Sequence, residues 1–486
     1  MTERSMPSVD PAPAADQPTA QAWAALGGRP DLLDRVSFHG PDAVLPSPLP
    51  VRRLARATVA ACSLAAAELA ALRAGGPGAG GGADPQAGGE PGAVAEVRVD
   101  QGAVATAFVS ERHLQIDGRT PVSFAPLSGF WQTADGWVRT HANYPHHRVR
   151  LLTALGLPAD TEADQLGRTL REQPAEWIQE RAYEAGALAV AVAPPAPGVR
   201  HPLAESRVVG EAPARPLAAA ALPAAGVRVL DLTRVIAGPV ATRTLALLGA
   251  DVLRVDPPRL PEAEDAHADT GFGKRSTRLD LTGPADRAAF EDLLATADVV
   301  VTGYRPGALD GFGLAPEALL ERRPGLVVAQ LCAWGWTGPW AARRGFDSLV
   351  QAGVGIAATL ADADGRPGVL PAQALDHGTG YLLAAGVLRA LTDQRTGRPG
   401  GRHLRFSLAG TASWLMYDIE PAGSLVGSPG GEPSKDEPYD AGLRLAETDS
   451  AYGRLRYALP PVSYRGGPAD WSRPPGRWGT DRPLWS

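Results

Sequence analysis

The chain has 486 residues and a net charge of −6, from 47 basic and 53 acidic side chains. That balance excludes a dedicated nucleic-acid binder, which is basic overall or carries a basic block. Two cysteines, Cys62 and Cys332, exclude a disulfide scaffold and a multi-cysteine metal centre.

In chain order, residues 1–39 read as a disordered tail, polar and proline-broken at its start, with no apolar core of a secretion signal. A cytoplasmic protein is expected on that ground. The run VRRLARATVAACSLAAAELAALR (51–73) has helical spacing. Its Ala-rich part, Thr58 to Leu72, contains Glu68 and is too short to span a bilayer, so no membrane partner is expected. A glycine linker over 75–92 follows, then a short strand at 97–100. TADGWVRTHANYPHHR (133–148) leads into a helical stretch to about residue 186, and ALAVAVAPP (187–195) alternates like a strand.

The second half is more regular. Apolar strands VRVLDL (227–232), VLRVD (252–256), TRLDL (277–281), VVVTGY (299–304) and LVVAQLCAW (326–334) alternate with amphipathic helices. This pattern predicts an α/β fold with a doubly wound, mostly parallel sheet, Rossmann-like in its layering. Ligands of such sheets sit at the carboxyl ends of the strands, here the loops Thr233–Pro239, Pro257–Ser276 and Gly303–Gly313. Phosphates favour the helix N-termini that these loops open. The first loop, DLTRVIAGPVATRTLALLG, lacks the G-x-G-x-x-G of a dinucleotide site, and no P-loop occurs anywhere. Asp376 precedes a helix at 378–392, where its spacing fits an N-cap. Residues 421–486 read as an irregular C-terminal tail, with an acidic, mobile stretch at 425–450.

Five ordered motifs carry a resemblance: VLDLTRVIAGPVATRTLALLGADVLRVDPP, GKRSTRLDL, YRPGALDGFGL, GWTGPW…GFDSLVQA and LDHGTGYLLAAGVLRALTDQRTGRPGGRHLRFSLAGTASWL. Over about residues 226–416 the chain resembles the class III CoA-transferases, the family of formyl-CoA transferase, carnitine CoA-transferase and α-methylacyl-CoA racemase. The resemblance implies a coenzyme-binding domain over 226–420 with coenzyme A or an acyl-CoA as substrate, no permanently bound cofactor and no metal. It implies coenzyme contacts at Arg234, Val235, Ile236, Ala237, Leu279, Tyr304 and Arg305, with Lys274 and Arg275 in a family motif. It makes Asp376 the carboxylate that becomes acylated, with a helix N-terminus keeping it ionised. The implied reaction moves CoA between an acyl-CoA and a small carboxylic acid. A non-catalytic CoA-binding paralogue is the alternative from another class. A racemase is the third reading, set back by Gly345-Phe346-Asp347, where the family's racemases have Gly-His-Asp and so a second acid/base group. His377 is a conceivable substitute for that group.

The chain departs from the family at Gly311, where an arginine is common, and at Cys332-Ala333-Trp334-Gly335, where the family has Ser-Gly-aromatic-Gly. Cys332 reads as a small buried cysteine rather than a nucleophile, since no base accompanies it. The order is also unusual. TADGWV resembles the start of the family's smaller domain, which follows the coenzyme domain in the family but precedes it here. Residues 40–205 are therefore expected to supply an N-terminal, smaller α+β domain. Ser128-Gly129 resembles the family's mobile glycine loop, with an ordinary polar turn as the plainer reading. His141, Asn143, His146 and His147 read as a hydrogen-bonded loop, because no carboxylate joins them at ligand spacing. The helix at 51–73 and the strand at 97–100 look like a second copy of the 376–407 unit, with Ala57 opposite Asp376. Family members form homodimers, so a homodimer or an internal pseudo-dimer is expected.

Overall fold

A computed structural model describes residues 16–74, 92–122, 124–195, 199–212, 216–420 and 439–486. The glycine linker and most of the acidic stretch fall outside them.

The first part of the chain forms α1 (Gln17–Ala25), β1 (Val36–His39), α2 (Val51–Ala74), β2 (Val97–Asp100), α3 (Gln101–Ala107), α4 (Ser110–His113) and β3 (Gln115–Ile116). There follow β4 (Phe130–Gln132), β5 (Trp137–Thr140), α5 (Pro145–Ala154), α6 (Ala163–Arg171), α7 (Ala175–Glu184) and β6 (Ala189–Ala191). The large sheet is built from β7 (Glu205–Val209), β8 (Arg228–Leu232), β9 (Asp251–Asp256), β10 (Arg275–Arg278), β11 (Val299–Thr302), β12 (Val327–Cys332) and β13 (Gly401–Ser407). Between these strands lie α8 (Ala237–Leu247), α9 (Glu264–Thr270), α10 (Pro284–Leu294), α11 (Pro316–Arg322), α12 (Asp347–Gly353), α13 (Ile356–Thr359) and α14 (Ala374–Arg395). α15 (Leu408–Tyr417), β14 (Leu445–Ser450) and β15 (Gly453–Ala458) complete the chain.

The seven strands run β10-β9-β8-β11-β12-β13-β7, and only β7 is antiparallel to its neighbour. Alternate residues of β11 explain its unbroken apolar sequence. Val299 and Val301 pack with α8 and α14 on one face, while Val300 packs with α10 and α11 on the other. A parallel strand covered on both faces has no polar side to show. The order reverses between β8 and β11, which opens a crevice at their carboxyl ends.

Two expectations for the flanks are corrected. Residues 1–39 contain α1, β1 and a 3-10 turn at Pro30–Arg35, because Trp23 and Ala22 bury themselves in the central core. Residues 421–486 contain the β14–β15 hairpin, paired in turn with β3. Beyond it the chain is irregular but tied down. Trp471, Trp478 and Trp485 donate to Arg243 O, Asp256 Oδ2 and Leu293 O.

The region 40–205 is likewise not one unit. β4, β5 and β6 form an antiparallel sheet that packs with α5, α6 and α7 around Leu151, Leu166, Leu170 and Ile178, a core of its own. α2 belongs instead to the central core, lying along α14. It is long and apolar enough to cross a membrane, yet most of its surface is buried inside the protein. β1 pairs parallel with β2 as β12 does with β13, so α1–β1–α2–β2–α3 parallels α11–β12–α14–β13–α15, where α12 and α13 are inserted before α14.

Candidate functional site

Asp376 stands in the first turn of α14, but it is not the cap. Gln373 holds that place and its side chain caps nothing. Asp376 is only 6% exposed, and its backbone N–H donates to Asp347 Oδ2 at 2.9 Å. Asp347 itself opens α12 and also accepts from Gln351 Nε2. The carboxyl of Asp376 is raised well above its usual value, first by burial and then by the charges of Asp347 and Glu111. Burial raises Asp347 as well. The expectation that a helix N-terminus keeps Asp376 ionised is therefore corrected. Desolvation and two like charges outweigh a dipole effect of about 1 kcal/mol.

His377 points away from Asp376's cavity. Its Nε2 stands 3.6 Å from Glu111 Oε2, and its ring stacks on Phe108 with centroids 5.3 Å apart. Phe346 stacks on His141 at 3.8 Å. One glycine sets how closely the loop after β8 approaches α14: a Cβ on Gly380 would meet Ala237 O at 2.6 Å, so only glycine lets α14 lie against the start of α8.

Asp376 opens into a cavity of about 190 Å³. Arg234, Val235, Ala237, Tyr304 and Arg305 line it from the ends of β8 and β11. Tyr144, just before α5, and His146 and His147, in its first turn, line it from the first half of the chain. Val235 has φ +71°, a left-handed backbone that a β-branched residue adopts only under strain. Arg234 donates to Leu260 O at 2.7 Å and Pro261 O at 2.9 Å, lies 3.6 Å from Glu262 and sits over the ring of Tyr144. The Tyr144 hydroxyl donates to Glu262 Oε1 at 2.6 Å and so ties the two halves together. Burial pushes Glu262 up, but Arg254 and Arg234 overcome it and bring the carboxyl down to about 2.

Four expected contacts lie elsewhere. Lys274 is buried, and Nζ donates to Asp231 at 3.1 Å, Pro239 O at 3.1 Å and Thr242 Oγ1 at 2.7 Å. All three donors of its ammonium are spent inside the core, so it is a strut between β10, β8 and α8. Burial lowers it to about 8. Arg275 pairs at 2.7 Å with Asp251, the first residue of β9, at the amino end of the strands. Leu279 is 3% exposed and packs under the sheet. Ile236 is the residue before α8 and packs against the central core. Periodicity sees none of this, because each outcome depends on which sheet end or face a residue reaches.

Other sequence features resolve plainly. Cys332 is buried, its thiol pushed up to about 12 chiefly by burial, and Sγ donates to Gly335 O. Ser128 Oγ donates to Asn143 Oδ1 at 2.7 Å and accepts from Ala142 N–H, which makes an ordered turn. Sequence reasoning missed Glu111, Tyr144, Glu262 and Arg344 as neighbours of the site. Only the aromatic-histidine cluster HANYPHH gave any signal for one of them.

Residues 224–439 match the model of CoA-transferase family III. A probable fatty acyl-CoA transferase of Mycobacterium tuberculosis is 34% identical over 212 residues, 41% of this chain and 52% of that protein. A formyl-CoA:oxalate CoA-transferase of Rhodopseudomonas palustris is 34% identical over 189 residues, 36% of this chain and 44% of that one. An acyl-CoA transferase of Gibberella moniliformis is 30% identical over 331 residues, 62% and 57% of the two chains. The chain spans about half the length of the curated relatives it matches. A crystal structure of a hypothetical protein from M. tuberculosis is 34% identical over 40% of this chain and 56% of that one, with a TM-score of 0.38.

Proposed function

We propose that the chain, whose residues 224–439 match the model of CoA-transferase family III, moves CoA between an acyl-CoA and a carboxylic acid through acyl adducts on Asp376. The observation that supports this is the shared cavity: Asp376 opens into the same space as Arg234, Tyr304 and Arg305 at the strand ends.

The chemistry is nucleophilic catalysis by a carboxylate. Ionised Asp376 attacks the donor thioester carbonyl, which gives a mixed anhydride and expels CoA thiolate. The thiolate attacks the aspartyl carbonyl of the anhydride, forming an aspartyl-CoA thioester and releasing the donor acid. The acceptor carboxylate attacks that thioester and again expels thiolate. Thiolate then attacks the acceptor's acyl carbonyl, which frees Asp376 and the new acyl-CoA. Each step exchanges one activated acyl bond for another, so no ATP is needed. A cavity of about 190 Å³ admits the thioester end and a small acyl group, leaving the bulk of CoA across the strand ends. The raised carboxyl of Asp376 makes its ionised fraction a limiting quantity, so the rate is expected to climb with pH.

Tyr144, His146 and His147 close the same cavity from the first half, so a single chain supplies both walls of the site. Incubation with acyl-CoA donors, trapping with hydroxylamine and peptide mass analysis test the reading. A hydroxamate on Asp376 is expected, whereas turnover with Asp376 unmodified overturns it.

A further inference from the structure

Four arginines, Arg234, Arg305, Arg343 and Arg344, line the Asp376 cavity, a fifth, Arg150, reaches Gly186 in the wall of the neighbouring cavity, and the five divide into two groups. Arg234 is held by Glu262 and two carbonyls. Arg343 is held by both oxygens of Glu180, at 3.0 and 2.7 Å, with its guanidinium packed over Tyr183 and Trp340. Arg150, Arg305 and Arg344 have no carboxylate partner among the described residues. The fold nevertheless brings them together from three separate elements: α5, the loop after β11 and the loop before α12.

Their convergence is geometric. A Cβ built on Gly186 would stand 3.4 Å from Arg344 Nη1 and 3.7 Å from Arg150 Nη1, so both guanidiniums reach one point. Arg150 makes only a long contact there, to Gly186 O at 3.4 Å. Arg305 and Arg344 line the Asp376 cavity and also a second cavity of about 330 Å³, walled by Trp334, Trp340 and Leu188. They therefore stand at the passage between the two. Burial, then Arg305 and Arg150, lower Arg344 from its usual value, as expected of like charges facing one another without an anion.

We infer that Arg150, Arg305 and Arg344 form an oxyanion-binding site where the two cavities meet, taking either a phosphate of the coenzyme or the far carboxylate of a dicarboxylic acid. Guanidinium forks match both groups in a planar, two-point fashion that an ammonium does not. An anion beside Arg344 turns its repulsion with Arg305 and Arg150 into shared attraction, and Arg305 and Arg344 place it against the cavity that Asp376 faces. The choice of probes rests on the transferase reading, but the measurement is of binding and needs no turnover.

The test uses the full chain and the double variant Arg150→Gln with Arg344→Gln, titrated calorimetrically with CoA, 3′-dephospho-CoA, succinate and butyrate. The double variant is expected to weaken CoA or succinate at least about tenfold, while the counterpart lacking the one probed anionic group, 3′-dephospho-CoA or butyrate, is bound as before. Loss confined to CoA assigns the 3′-phosphate, and loss confined to succinate assigns a dicarboxylic substrate. Equal affinities of wild type and variant for all four probes overturn the site, as does failure of the wild type to bind any of them. Melting of the ligand-free proteins gives a second check. Removing facing cations should leave the melting temperature unchanged or raise it, and a clear fall overturns the proposal by showing the arginines to be structural. Failure of the transferase reading shows elsewhere, as the missing hydroxamate on Asp376, and leaves these binding ratios readable.

Discussion

Residues 17–107 and 316–417 share a run of elements, with α12 and α13 interposed in the second: a helix, a strand, a long helix, a second strand parallel to the first, and a short helix. The long helices, α2 and α14, lie against each other in the central core. They differ in what surrounds them. In the second unit residues 333–373 separate strand from long helix and deliver Asp347 behind Asp376; in the first, residues 40–50 suffice. The second unit sits in a seven-stranded sheet with strand ends open to a cavity, whereas the first has two strands. Ala57, which the sequence comparison sets opposite Asp376, is fully buried. A buried carboxylate is a standing cost; Asp231 and Asp256 offset it with the cations Lys274 and Arg254, whereas Asp376 faces a cavity. The other helix serves as an apolar wall.

The comparison breaks most decisively at Asp376. Asp376→Ala is expected to lower kcat about a thousandfold or more in an acyl-transfer assay. Adding Ala57→Asp to it should restore nothing and should cost about 3 kcal/mol in denaturant unfolding, because the new carboxylate has no partner. If activity returned, the two units would be interchangeable. Next comes the Lys274 strut of the second half. Lys274→Met leaves Asp231 buried and unpaired, at a cost of about 3 kcal/mol in chemical denaturation. CoA affinity of the folded variant should hold, since Lys274 does not reach the cavity.

Smaller effects sharpen the picture. Tyr144→Phe removes the bond to Glu262 that joins the halves, for about 1 kcal/mol in unfolding and a several-fold rise in KM for acyl-CoA. Asp347→Asn keeps an acceptor for the Asp376 N–H but removes a negative charge. The sign follows from that charge: with Asp347 ionised the proton on Asp376 is held more tightly, so the variant should move the rising limb of the kcat/KM profile to lower pH, by about one unit. A shift to higher pH would mean that Asp347 acts on Asp376 through structure and not charge.

The strands of the second half were legible because VVV and LVVA can only be central and parallel, and the motif around Asp376 was legible by resemblance. What escaped the sequence has physical reasons. α1 is short and starts beside a proline-rich run, so its burial depends on Trp23 finding a core made 366 residues later by Arg389 and its neighbours. β14 and β15 are charged strands whose pairing partner, β3, lies more than 300 residues away. Lys274 looked like a coenzyme contact because charge at a motif is visible, while the end of the sheet on which it is spent is not. Arg150 and Arg344 are ordinary surface residues in isolation. Only the fold turns them toward the same glycine.

The three tryptophan anchors of the C-terminal stretch have a consequence for how copies of the chain meet. β10 is an outer strand of the large sheet, and an outer strand with free N–H and C=O groups is a template for another chain. Here Asp481 exchanges bonds with Ser276, its N–H donating to Ser276 O at 2.8 Å and its Oδ2 accepting from Ser276 N–H at 2.7 Å. Gly273 N–H, just before the strand, donates to Arg473 O at 3.0 Å. The stretch thus works as a guard against aggregation, lying over a border that would otherwise recruit strands from neighbouring molecules.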